Sequence, residues 1–386
     1  MSHNIDLNAA VSEGIIDPDQ AAALATFSNS GVIQTVADVN AAAIDREPFR
    51  LIGGFNDIFV TIGIVLLLTG AAVTMHAIYD GPNLYKFAGM GVLIWLLAEY
   101  ISRVKHMKLP STVLALGFLF CVNAILQIWL DGQYNFAEPD NVLSALVLLD
   151  QGQSAGLITF STNLGIAVLY FWRFRVPVEA AIMAVAATGL VTVGASELFM
   201  DEVARGQVKI SDLSDMIMLM EKLLVLPLIC GLLIFATGIY LDFRDRNRLS
   251  TMSDSAFWLH LISAPMIIHP LFILSSGAEI GVLAIEPELL ASVGLALIMT
   301  IVVLISLAID RRALLIPTLA YLTGLGVYWI FETGANTSGI PPFALILLAA
   351  GILVIIFGVG WQRIRAATIL KILPASWVAA LPPVRI

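Results

Sequence analysis

The chain has 386 residues, of which 59% are hydrophobic and 13% charged, with a formal net charge of −9 from 20 basic and 29 acidic side chains and a mean hydropathy of +0.91. Ordinary soluble chains are about 45–50% apolar and about 25% charged, and one or two water-soluble cores cannot hide this much apolar surface. Soluble enzyme, nucleic-acid binder and disulfide-stapled secreted scaffold are therefore excluded, and an integral membrane protein remains.

The first 44 residues read as a cytoplasmic helical hairpin and linker. Residues 4–29 predict two short helices around a sharp turn, with Gly14 in the left-handed position that ends the first. Asp17-Pro18-Asp19-Gln20 then opens the second: Asp17 as N-cap, Pro18 at N1, and Gln20 at N3 completing a capping box. Ala21, Leu24, Ala25 and Phe27 give this helix an apolar face. A hairpin of this size cannot bury a core alone, so residues 4–29 pack on the chain's own membrane domain, on a second copy, or on a protein partner. Residues 28–44 read as a flexible linker or weak amphipathic helix, and residues 45–56, DREPFRLIGGFN, bring the chain to the membrane surface.

A membrane-spanning helix needs about 20 predominantly apolar residues. Ten such runs follow, at 57–78, 84–102, 109–130, 154–173, 176–198, 217–241, 254–275, 288–310, 313–331 and 342–361, giving a membrane domain over 57–361 and a cytoplasmic tail over 362–386. The connecting segments test the count. Those after even-numbered runs hold Arg103, Lys105, Lys108, Arg173, Arg175, Arg244, Arg246, Arg248, Arg311 and Arg312, and the tail adds Arg363, Arg365, Lys371 and Arg385. Those after odd-numbered runs hold Lys86, Arg205, Lys209 and Lys222, among many Asp and Glu. By the positive-inside rule the basic turns and both termini are cytoplasmic.

Basic residues precede a proline at Lys108-Leu109-Pro110, at Arg175-Val176-Pro177 and at Arg311-Arg312 before Pro317. Proline is tolerated in the first turn of a helix. The spacing is compatible with helical hairpins repeated in tandem about every 70 residues, although any hairpin protein carries basic turns at similar intervals; a five-plus-five inverted repeat is also allowed. Between the third and fourth runs, NVLSALVLLD (141–150) is amphipathic and is expected to lie in the membrane interface.

Several segments carry a resemblance. GIIDPDQAAAL looks like the N-terminal helical hairpin of a large family of bacterial multi-pass membrane proteins of undefined function. FRLIGGFNDIFV (49–60), LAEYISRVKHMKLPS (97–111), FWRFRVPVEAA (171–181) and DSAFWLHLISAPMIIHPLF (254–272) are similar to a proteobacterial branch of it. The resemblance implies a bacterial inner membrane and supplies no activity.

Ionisable groups at membrane depth are costly and are functional candidates by default. His260 and His269 lie in the seventh run. Nine residues place them on opposite faces of a straight helix, about 13–14 Å apart along its axis, so one metal cannot hold both unless the helix bends strongly. Pro265 and Pro270 make this run the candidate for a kinked, moving helix. Glu99 stands four residues before Arg103, either as a helical ion pair or as a carboxylate facing a cavity. Asp57 opens the first run as a helix anchor or a buried site. Asn123 and Gln127 share a face in the third run, near Thr162 and Asn163 of the fourth, and such groups bond across helices. Small residues in the fifth run (Gly189 and Gly194 among them) and in the tenth (Gly351, Gly358, Gly360) predict close packing. Cys121 and Cys230 read as buried thiols.

No Cys/His cluster has metal-ligand spacing, and there is no phosphate-binding glycine loop, HExxH or GxSxG. No catalytic residue, metal or cofactor is assigned. The expected protein is all-α and polytopic. Three readings stay open: a permease-like carrier of a small solute; a membrane scaffold or sensor recruiting a partner through residues 4–29; and, more remotely, an intramembrane enzyme built on His260, His269 and Glu99.

Overall fold

The structure, a computed structural model, describes residues 11, 13, 17–29, 55–134, 142–205, 223–245, 250–276, 289–315, 317–321, 323–324, 342–372 and 374. The chain divides into two units, Met1–Arg50 and Leu51–Ile386. In the first, α1 (Pro18–Asn29) begins as its sequence dictates. The Asp17 carboxylate accepts from the Asp19 N–H at 3.0 Å and the Gln20 side chain accepts from the Asp17 N–H at 3.1 Å. Two N–H groups that a helix start would otherwise leave bare are thereby satisfied. The first arm of the expected hairpin lies mostly outside the described residues.

The second unit is helical, with no strand among the described residues: α2 (Phe55–Ile78), α3 (Asn83–Ala98), α4 (Lys108–Gln133), α5 (Val142–Phe174), α6 (Glu179–Ala204), α7 (Val225–Arg244), α8 (Thr251–Ser276), α9 (Leu289–Ile309) and α10 (Pro342–Ile372). Seven helices are long and apolar enough to cross a membrane: α2, α3 with its continuation to Val104, and α4, α5, α6, α7 and α10. They fit an integral membrane protein in contact with lipid, and large apolar side chains such as Phe59, Leu66, Val92, Leu233 and Val359 point outward from them. The seventh and eighth apolar runs form α8 and α9. Of the ninth, the described residues show a short 3₁₀ turn (Arg312–Leu314) and helix at 317–321.

Three elements differ from expectation. The stretch expected along the interface is continuous with α5 from Val142 onward. α10 continues eleven residues past Trp361 to Ile372, because Arg365 is docked inward rather than solvated. α3 passes into a π-helix over Glu99–Val104, a form that gathers at functional sites.

The basic turns share a backbone device. His106, Arg175 and Asp310 have φ of 52°, 53° and 56°, the left-handed conformation that ends helices. After α9 the Arg311 N–H reaches back to the Ser306 carbonyl at 3.0 Å, the six-residue closure of that motif. After the π-helix the Met107 N–H reaches the Ile101 carbonyl at 3.3 Å, one residue further, as the wider turn requires. His106 and Arg175 are 69 residues apart, and Arg175 and Asp310 are 135 apart, close to one and two lengths of the repeat read from the prolines.

Two packing centres result. In α2–α5, Trp95, Phe118, Tyr170 and Phe174 form an aromatic cluster with ring centroids 4.6–5.9 Å apart. In α8–α9, Ala264, Ile268, Leu295 and Met299 pack with Leu314. Glycines let α7 press on α8. A Cβ on Gly231 would meet the Met266 backbone at 3.1 Å, and one on Gly238 would lie 2.8 Å from the His260 ring. Gly189 of α6 abuts Phe160 as its small-residue run predicts, whereas Gly351 and Gly358 of α10 face open space.

Candidate functional site

Asp242 stands two residues before the end of α7, Ser253 lies in the first turn of α8, and the turn after α9 carries Arg311. They meet around the Asp242 carboxylate, which also faces His260, 0% exposed. Its Nε2 lies 3.0 Å from Asp242 Oδ2. The guanidinium of Arg311, 4% exposed, meets both oxygens of the same carboxylate, with Nε donating to Oδ2 at 2.9 Å and Nη2 donating to Oδ1. Nη2 also donates to Ser253 Oγ at 2.8 Å. Two-point contact of guanidinium and carboxylate is a strong, oriented form of ion pair. Phe235 stands edge-on to His260 at 5.3 Å, and Gly238 leaves the space the imidazole occupies. Asp242 is thus held between a fixed cation and a group able to carry a proton.

A second cluster joins α10 to the same turn. Arg365 is 0% exposed and donates through Nε to the Leu307 carbonyl at 2.8 Å and through Nη2 to the Ala308 carbonyl at 3.2 Å. It covers carbonyls that the end of α9 leaves without helical partners. Asp310 pairs with it at 3.6 Å and accepts from Trp361 Nε1 at 2.7 Å.

The candidates read from the sequence fall in separate places. Glu99 accepts from Arg173 of α5 at 2.6 Å and from Arg103 at 3.5 Å, so the helical ion pair exists but its nearer partner comes from another helix. Asp57 is buried in the first turn of α2, with its carbonyl accepting from the Thr61 hydroxyl at 2.6 Å. His269 lies 6.0 Å from the Tyr321 ring, a different neighbour from the Asp242 carboxylate that meets His260. α8 runs as one helix through Pro265 and Pro270. Asn123 and Asn163 exchange amide hydrogen bonds at 2.8 and 3.1 Å, the cross-helix pairing expected of them. Glu99, His260 and His269 each meet different partners: Arg173 and Arg103, Asp242, and the Tyr321 ring.

Asp242 is the member that sequence reasoning missed, and Arg311 and Arg365 were read there as topology signals alone. Asp242 carries one local sign, an acid ahead of Arg244, Arg246 and Arg248 in a basic turn. Its partners are 18 and 69 residues away. No family model, curated protein or solved structure matches the chain, so the bacterial family resemblance gains no support from them.

Proposed function

We propose that the chain is a multi-pass protein of a bacterial inner membrane with a permease-like membrane domain that moves a small solute. In this reading it has ten spans, both termini and the basic turns are cytoplasmic, and Asp242–His260–Arg311 is the working cluster. The observation that carries it is that cluster itself: a fully buried histidine and a partly buried aspartate on two closely packed helices, one of which holds two prolines. Intramembrane ionisable groups mark substrate or proton paths. Prolines at 265 and 270 remove two helical hydrogen bonds, which makes α8 the element to hinge.

The test is flux into proteoliposomes holding the full chain. Proton and small-solute uptake should depend on the protein and fall in Asp242→Asn and His260→Ala, with insertion unchanged. Absence of any protein-dependent flux removes the reading.

A second reading is favoured by α1. A capped helix of 12 residues with Leu24 exposed is too short to be stable alone and suits a docking role. Deleting residues 1–44 should then abolish capture of a partner while leaving insertion intact.

A further inference from the structure

The basic ends of α3 and α5 bring two guanidiniums to one carboxylate. Arg103 Nη1, on the π-helix that ends α3, and Arg173 Nη2 of α5 reach the same oxygen, Glu99 Oε2, at 3.5 and 2.6 Å. One negative charge cannot balance two positive ones, so a cation is left over. The two contacts are unequal. Arg173 is close, whereas 3.5 Å is long for a charge-assisted hydrogen bond. Arg103 is also the more open side chain, at 57% exposed against 27% for Arg173. A guanidinium carries five N–H donors, and the Glu99 contact engages one of those on Arg103. Lys105, exposed and with Nζ 5.5 Å from the Tyr100 ring, adds a further positive charge.

The surface beside these cations is apolar and faces outward. On α3, Val92, Leu96 and Tyr100 recur every four residues and are all exposed. On α5, Leu169 and Trp172 are exposed in the same way next to Arg173. The two helices adjoin, since the Trp95 ring packs on Tyr170 and Phe174. From the basic end toward the middle of either helix the order is guanidinium, aromatic ring, aliphatic side chain. Arg103 and Val92 are about 16 Å apart along the axis, close to half of a hydrocarbon core of about 30 Å. A phospholipid presents the matching order of phosphate, interfacial ester and acyl chain, and Trp and Tyr favour the middle level.

The chemistry narrows the occupant. An acidic peptide would use the cations and leave the apolar flank bare. A zwitterionic lipid brings its own cation, which the surplus charge opposes. We infer that the basic end of α3 and α5 holds the headgroup phosphate of an anionic phospholipid, with Arg103 and Arg173 as donors and the acyl chains along Leu96 and Leu169. Guanidinium meets phosphate at two points, and basic pockets between membrane helices bind such headgroups. The site shares no residue with the Asp242–His260–Arg311 cluster and holds whether or not the chain is a permease.

Native mass spectrometry of the full chain in detergent tests this without reference to membrane orientation. The probes are phosphatidylglycerol, phosphatidylcholine and inorganic phosphate. The wild type should retain phosphatidylglycerol over phosphatidylcholine, and inorganic phosphate should not displace it. Arg103→Gln should weaken retention about fivefold, and Arg103→Gln with Lys105→Gln about twenty-five-fold, at about fivefold per cation. Both side chains are exposed, so folding should be little affected. Glu99→Gln removes the competing carboxylate and should strengthen retention; should it fail to fold, the other two variants still decide. Equal retention of the two lipids, or unchanged retention of phosphatidylglycerol in the Arg103→Gln, Lys105→Gln double variant, overturns the site. Displacement by inorganic phosphate would show a simple anion site and overturns the assignment to a lipid.

Discussion

Arg311→Met is the most informative perturbation of the candidate site. Arg311 is 4% exposed, contacts both Asp242 oxygens and donates to Ser253 Oγ at 2.8 Å. Methionine fills similar space without charge and leaves a partly buried carboxylate with only His260 to face it. Breaking one side of a buried pair costs about 3–5 kcal/mol, which raises the open population roughly a hundredfold or more at about 1.4 kcal/mol per tenfold. Asp242→Asn should cost a similar amount by stranding the guanidinium. The double variant removes both charges together, so it should recover at least about 2 kcal/mol relative to the sum of the single changes. Arg311→Lys should fall between, since a point-charge ammonium cannot meet both carboxylate oxygens and Ser253 at once. The assay is the unfolding midpoint of the purified chain in detergent, with protease susceptibility reporting the open population. Additivity of the single variants within about 0.5 kcal/mol would refute the coupling.

Further outcomes follow from other contacts. Gly238→Ala places a methyl 2.8 Å from the His260 ring and should destabilise by about 1–3 kcal/mol, an effect that His260→Ala relieves in the double variant. Asn123→Leu strands Asn163 and should cost about 0.6–2 kcal/mol, with Asn163→Leu restoring most of it; equal losses that simply add would show the amide pair to be incidental. Arg175→Gly removes a side chain from a φ of 53° and should raise the unfolding midpoint, by about 1 kcal/mol. Single cysteines at 106, 175 and 245 should all react with an impermeant thiol reagent from one side of a sealed vesicle, and a cysteine at 80 from the other. A mixed pattern breaks the positive-inside assignment.

What was legible in the sequence is what is local. The capping box at Asp17 and Gln20 involves groups within four residues, so composition and order determine it. The different neighbours of His260 and His269 fit a helical period that sets residues nine apart on opposite faces. The Glu99–Arg103 pair was readable too, but its length of 3.5 Å was not. The π-helix widens the turn, displaces the i,i+4 alignment, and leaves Arg173 as the nearer cation at 2.6 Å. Asp242 stayed hidden because nothing in DFRDR says that a histidine 18 residues on and an arginine 69 residues on will meet there. Arg365 stayed hidden because an arginine after an apolar run looks solvated, whereas here it caps the end of α9. The glycines divided similarly: Gly231 and Gly238 do the close packing, yet two glycines seven apart in an apolar run stand out less than the alanine-rich run of α6.

The basic residues from which orientation was read also tie the helices together. Glu99 to Arg173 links the ends of α3 and α5; Lys108 to Asp254 links the starts of α4 and α8; Asp242 to Arg311 links the end of α7 to the turn after α9; and Asp310 to Arg365 links that turn to α10. Each of these four ties lies at the basic end, where the described residues also take three left-handed turns. A helix end in that conformation points the chain back sharply, so the side chains just beyond it meet neighbouring helix ends instead of solvent. This explains why Arg311 is buried although it follows a turn. It also separates two roles that one arginine count cannot distinguish. On the proposed orientation Arg103 and Arg175, both exposed, act through charge alone, and their replacement by glutamine should shift topology with little effect on stability. Arg311 and Arg365, buried, hold helices in register, and their replacement should unfold the basic end before it reorients anything. Finding Arg311→Gln fully stable but inverted in the membrane would show that the ties are a consequence of topology rather than a part of the fold.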